Sequence, residues 1–138
     1  MHLKTSSQGP RAVFVARVSC ERGGRHQPAF GIPEPDLAVV RGDPLSFVGR
    51  LPGPADVALV VEVSFSTRRV DRMKASIYAQ SGYACYWLID LEAKRVELYR
   101  APTVDGRYGQ TEVVDITREL ALPLTSMSVS VASLIPQA

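Results

Sequence analysis

The sequence has little cysteine, little histidine, little net charge and no long apolar run, and each scarcity excludes a class of protein. Two cysteines, Cys20 and Cys85, are too few for a disulfide scaffold, and neither belongs to a Cys-x-x-Cys pair. Both read as reduced thiols of a cytoplasmic protein. The two histidines, His2 and His26, have no companion residues in view and are given no role. The net charge is only +2, so charge alone does not announce a nucleic-acid partner. Val57 to Val61, like every other apolar run in the sequence, is too short to cross a bilayer. Met1-His2-Leu3-Lys4-Thr5-Ser6 has no apolar segment of the kind that opens a secretory leader. There is no internal repeat and no low-complexity tract.

What is present is ordinary for one folded domain. The chain has 138 residues, 46% of them apolar and 22% charged. That composition and length predict a single globular domain over residues 1–138, with a polar, loosely held stretch at 1–10. Ala12 to Ala16 reads as a strand, and Cys20 to Pro28 as a loop broken at Gly23-Gly24. Leu37 to Val40 is a second strand, entered through Pro33-Glu34-Pro35. A Pro/Gly-rich connection runs from Gly42 to Pro54.

Val57 to Val63 is the strongest strand signal. It is apolar on both alternating faces and so belongs at the centre of a sheet covered on each side. Ser66 and Thr67 then cap a helix that runs to about Ser81. Val70, Met73 and Ile77, three and four apart, predict its buried stripe, and Gly82 stops it. Ala84 to Ile89 is the next strand, Val96 to Tyr99 its hairpin partner, and Thr111 to Asp115 a further short strand. Val129 to Ile135 reads as a short terminal helix. Strand–helix–strand from Val57 to Ile89 implies a parallel pair with one crossover helix. The class is α/β or α+β with a mixed sheet.

Three residues carry potential chemistry. Glu62 is a carboxylate inside the most apolar strand, which is costly unless it is paired or binds a metal. Asp36 opens a strand directly after Pro35, where its side chain can reach past the sheet edge. Two carboxylates meeting there make a hard-oxygen site suited to Mg²⁺ or Mn²⁺. Lys74 flanks the predicted stripe, with Asp71 three residues before it and Tyr78 four after. From there it can reach the end of the Glu62 strand. Each has a plainer reading. Glu62 can pair with Arg68 or Arg69, Asp36 can cap a turn, and Lys74 can snorkel along the surface or form an exposed ion pair with Asp71. Tyr86 and Trp87 read as core rather than a base-stacking platform. Arg68, Arg69 and Arg72 can contact phosphates, although a solvated helix start explains them as well; Arg22 and Arg25 complete the basic residues of note.

In order along the chain stand Pro35-Asp36-Leu37-Ala38-Val39-Val40, Leu59-Val60-Val61-Glu62-Val63-Ser64, Ser66-Thr67 with Asp71-Arg72-Met73-Lys74, Ile77-Tyr78-Ala79 to Gly82, Tyr86-Trp87-Leu88-Ile89-Asp90, and Val96-Glu97-Leu98-Tyr99-Arg100. This series resembles the Uma-two family of restriction endonucleases, within the PD-(D/E)XK nuclease superfamily. The resemblance implies a restriction-endonuclease-like core of four mixed strands flanked by helices. It implies that Asp36 and Glu62 hold a divalent metal. The superfamily's usual lysine, two residues after the glutamate, is here Ser64, and the resemblance moves that lysine onto the helix as Lys74. Ser64, Asp71 and Tyr78 are then neighbours of the metal pair.

Family members open with a helix that covers the sheet and often adds an acidic residue. The residues before Asp36 read instead as strand and loop, with Glu21 and Glu34 their only carboxylates. A sheet face left bare in this way favours a homodimer. The expected function is a Mg²⁺- or Mn²⁺-dependent endonuclease that hydrolyses DNA, with Asp36, Glu62 and Lys74 catalytic. The alternative is an inactive nuclease fold kept as a binding or dimerisation module. No membrane partner is expected.

Overall fold

Val57 to Ser64 forms the middle of the sheet because both of its faces are covered. In the computed structural model, which describes residues 13–16, 35–66 and 68–136, this strand (β3) is buried at every position except Val63. Around it lie β1 (Val13–Ala16), β2 (Leu37–Arg41), β4 (Cys85–Asp90), β5 (Arg95–Pro102) and β6 (Tyr108–Asp115). They form one sheet in sequence order, β1 to β6. Only β3 and β4 run parallel; the other neighbours are antiparallel. A parallel pair needs a crossover, which is helix α1 (Arg68–Gln80). The mixed sheet and single main crossover helix are the α+β arrangement read from the pattern. Thr67, one of the two expected caps, lies outside the described residues, as do the loop at 20–28 and most of the residues before Asp36, where the family's N-terminal helix is expected to be missing.

The two faces of the sheet carry separate cores. Val39, Leu59, Val61, Trp87, Ile89, Val96 and Leu98 line one face. The C-terminal segment covers it: β7 (Glu119–Ala121) pairs with β8 (Ser128–Ser130), and α2 (Val131–Leu134) follows. Leu120, Val131 and Ile135 are buried against this face. The terminal helix is therefore shorter than 129–135, since its first residues pair as β8. The expectation of a bare sheet face is corrected here. The face is closed by residues too short in each element to register as a pattern.

Helix α1 covers the opposite face, over Ala38, Val40, Val60, Tyr86 and Leu88. Its rotation differs from the expectation. Val70, Met73 and Ile77 face outward, 54%, 65% and 38% exposed, while Asp71, Ala75, Tyr78 and Ala79 are buried. The reason is polar pairing. The Tyr78 hydroxyl donates to Glu62 of β3, the Asp71 carbonyl accepts the Tyr86 hydroxyl of β4, and two alanines allow the helix to approach closely, so this stripe turns inward in place of the more apolar one. At the C-terminal end of α1 Gly82 has φ +84. Its N–H bonds the Ala79 carbonyl at 3.0 Å, and the Tyr83 N–H bonds the Tyr78 carbonyl at 3.1 Å. This is the Schellman closure that a left-handed glycine permits. It sets Tyr83 edge-on against Tyr78, ring centroids 5.6 Å apart, and so fixes the last turn that carries Tyr78.

Candidate active site

Asp36 precedes the paired stretch of β2, whose first residue, Leu37, lies opposite Val61. The chain bends at Asp36 and its side chain is exposed. Oδ2 accepts the Val63 N–H at 2.7 Å. That bond fastens the Asp36 carboxylate beside the end of β3, one residue from Glu62.

Glu62 points to the α1 face and is 2% exposed. Each of its oxygens has a donor from the helix. The Tyr78 hydroxyl donates to Oε1 at 2.8 Å, and Lys74 Nζ lies 3.4 Å from Oε2. Lys74 Nζ also lies 3.2 Å from Asp71 Oδ1. Residues 71, 74 and 78 share one side of a helix with 3.6 residues per turn, so α1 brings all three over one carboxylate. Among the described side chains Glu62 takes Lys74 and Tyr78 as partners, and the Asp71–Lys74 pair is not an exposed one, since Asp71 is buried.

The electrostatics follow from this packing. Burial lifts the Glu62 carboxyl from 4.5 to about 7. Tyr78 and Lys74 pull against that rise, while the charges of Asp36 and Asp71 add to it. Burial draws the Lys74 ammonium down, but Glu62 and Asp71 outweigh it and hold it above the usual lysine range. Burial, then the Glu62 charge, pushes the Tyr78 phenol up, so it stays a donor. Repulsion among carboxylates that share a site is what a cation relieves. Asp36 and Glu62 offer hard oxygens, the donor set of Mg²⁺ or Mn²⁺. Among the described residues no three His, Cys, Asp or Glu side chains gather into a ready-made cage. Two carboxylates, completed by water or substrate phosphate, is nevertheless the way Mg²⁺ is ordinarily held.

Ser64 is buried on the same face as Glu62, level with Asp90 of β4. A serine there brings no ammonium; Lys74 brings it from the helix. Tyr86 and Trp87 are buried, one in each core. The sequence reading overlooked Glu97. Glu97 is 6% exposed, and its carboxylate takes Arg72 Nε and Nη2 at 3.0 and 2.7 Å and the Tyr99 hydroxyl at 2.7 Å. The alternation of Val96 to Tyr99 marks a strand but gives Glu97 no partner. The available signal was a basic residue, Arg72, on the crossover helix.

The family model described as "Putative restriction endonuclease", Uma-two, matches residues 3–132. This chain belongs to the Uma-two family. No curated protein matches the Uma-two chain. Among solved structures it is similar to one described as a putative nuclease belonging to DUF820 from Anabaena variabilis, with a TM-score of 0.52 and 20% identity. The alignment covers 74% of this Uma-two chain and 59% of that one, so the chain spans about three-fifths of its neighbour's length. At that identity the likeness speaks to the fold alone. No helix among the described residues is long and apolar enough to cross a membrane.

Proposed function

We propose that this Uma-two protein is an endonuclease that hydrolyses DNA phosphodiester bonds with Mg²⁺ or Mn²⁺ held by Asp36 and Glu62. One observation carries the reading. A buried glutamate receives a lysine and a tyrosine from the crossover helix, while an aspartate from the neighbouring strand is fastened at the next residue. When bound, a divalent cation activates water and neutralises charge developing on the phosphate. The chain's own groups do the rest. Tyr78 holds Glu62 Oε1 by a hydrogen bond, which fixes the plane of the carboxylate. Lys74 Nζ lies beside Oε2, close enough to orient a water or to meet charge on a pentavalent phosphate. Asp71 holds Lys74 from the other side. Asp36, exposed where the chain enters β2, opens the site to substrate.

The test is cleavage of plasmid and linear DNA by purified protein with Mg²⁺ or Mn²⁺. Cleavage that Glu62→Ala abolishes supports the reading. No cleavage of DNA or RNA under either metal removes the enzyme claim.

A second reading is a nuclease fold kept as a binding or dimerisation module. What favours it is that the Lys74 ammonium already pairs with both Glu62 and Asp71 without a metal. Calorimetric titration with Mn²⁺ separates the two: binding lost in Asp36→Ala supports the nuclease, and no binding supports the module. The homodimer and the cytoplasmic setting belong to the proposal. With the sheet faces covered, support for a dimer rests on the exposed Val70, Met73 and Ile77. Sedimentation equilibrium of wild type and Met73→Glu tests it; a monomer in wild type rejects it.

A further inference from the structure

Helix α1 is braced to the sheet by two carboxylates in one row. In the register of β3, β4 and β5, Glu62 pairs with Leu88, and Leu88 pairs with Glu97. The row points toward α1, with fully buried Leu88 between the two acids. Successive helix residues are about 100° apart. The inward stripe of Asp71, Ala75, Tyr78 and Ala79 therefore has Arg72 on one flank and Lys74 on the other. Arg72 reaches Glu97 on β5 with a two-pronged contact, 3.0 Å from Nε and 2.7 Å from Nη2. Lys74 reaches Glu62 on β3 at 3.4 Å. Between them the Tyr86 hydroxyl bonds the Asp71 carbonyl at 2.7 Å. Two flanking cations drawn to two acids on opposite sides of the stripe hold the helix against rolling in either direction.

The two braces are unequal. Burial pushes the Glu97 carboxyl up, but the Arg72 and Tyr99 hydrogen bonds outweigh it and hold it below the usual range. Glu97 is thus a fixed anion, and a guanidinium fork grips it in one geometry. The Lys74 contact is a long single point on a flexible stem. The geometry points to Arg72 and Glu97 as positioning residues: their pair sets the roll of α1 that holds Lys74 Nζ against Glu62. It acts on the proposed chemistry through Lys74 and Tyr78, the two α1 residues that meet Glu62, and to that extent rests on the nuclease reading.

Two measurements test it. The first needs no activity. Lys74 has two fellow lysines, Lys4 and Lys94, so acylation by an N-hydroxysuccinimide ester can be followed residue by residue by peptide mass spectrometry, with exposed Lys94 as internal standard. Lys74 is 26% exposed and held by two acids. Release from that setting in Arg72→Met raises its relative acylation rate about fourfold, the ratio of full to present exposure. Glu97→Gln, nearly the same shape, moves it in the same direction. A rate within about twofold of wild type in both variants overturns the proposal.

The second is kinetic. Arg72→Met lowers kcat about tenfold with KM little changed, the scale of a small misplacement of a reacting group. In a Lys74→Met background the same change costs less, because one of the two groups through which it acts is gone and only Tyr78 remains. An equal loss in both backgrounds overturns the proposal. If the wild type cleaves nothing, the nuclease reading fails while the acylation result still decides the positioning role.

Discussion

Glu62→Gln should stabilise the metal-free protein at alkaline pH and leave it little changed in acid. Burial raises the Glu62 carboxyl from 4.5 to about 7. A raised acid is protonated in the native state over a range where the unfolded chain has already ionised. The unfolded state therefore gains stability first as pH rises above 4.5, and the native state falls behind until pH passes about 7. At 1.4 kcal/mol per unit the difference between the two states amounts to about 3 kcal/mol. Glu62 is nearly inaccessible to solvent, so screening reduces this little. Urea denaturation in a chelating buffer measures it. Relative to Glu62→Gln, wild type should lose about 3 kcal/mol between pH 4.5 and 8, with most of the change below pH 7. Parallel stability curves for the two proteins refute the reasoning, because they mean that Glu62 ionises in the fold as easily as in the unfolded chain. Added Mn²⁺ should narrow the gap by favouring the ionised wild-type carboxylate.

Tyr78→Phe removes the donor to Glu62 Oε1 and should cost about 1–3 kcal/mol, because a buried acceptor is left unsatisfied; denaturant midpoints measure it, and the loss should be larger at pH 8 than at pH 5. The rotation of α1 is tested by a pair of variants compared by thermal unfolding. Met73→Gln on the exposed side should change stability by less than about 0.5 kcal/mol, while Ala79→Leu on the buried side should cost about 1–3 kcal/mol through overpacking. The reverse order would return Met73 to the interior.

The central sheet was legible because β3 and β4 are apolar on both faces, a pattern only a covered strand has. The crossover helix was legible in its limits, through Gly82, but not in its rotation. Spacing of apolar side chains finds the stripe with the greatest hydropathy. The stripe that turned inward, Asp71, Ala75, Tyr78 and Ala79, is held by partners on β3 and β4 that a window of neighbouring residues does not contain. Glu97 escaped notice for the same reason: Arg72, which holds it, is 25 positions earlier. Glu62 stood out on local grounds, as a charge within an apolar strand. Asp36 did not, and the ordered series of family segments joined it to Glu62. The covering of the second face by β7, β8 and α2 was illegible because three- and four-residue elements carry too little pattern.

The most direct test of the metal pair is a crystal of the wild-type protein soaked in Mn²⁺ and measured for anomalous scattering. The account predicts one strong peak bound by oxygens of both Asp36 and Glu62 at about 2.0–2.3 Å, with Lys74 Nζ still beside Glu62 and outside the coordination sphere. A peak elsewhere on the chain, or none at millimolar Mn²⁺, contradicts it.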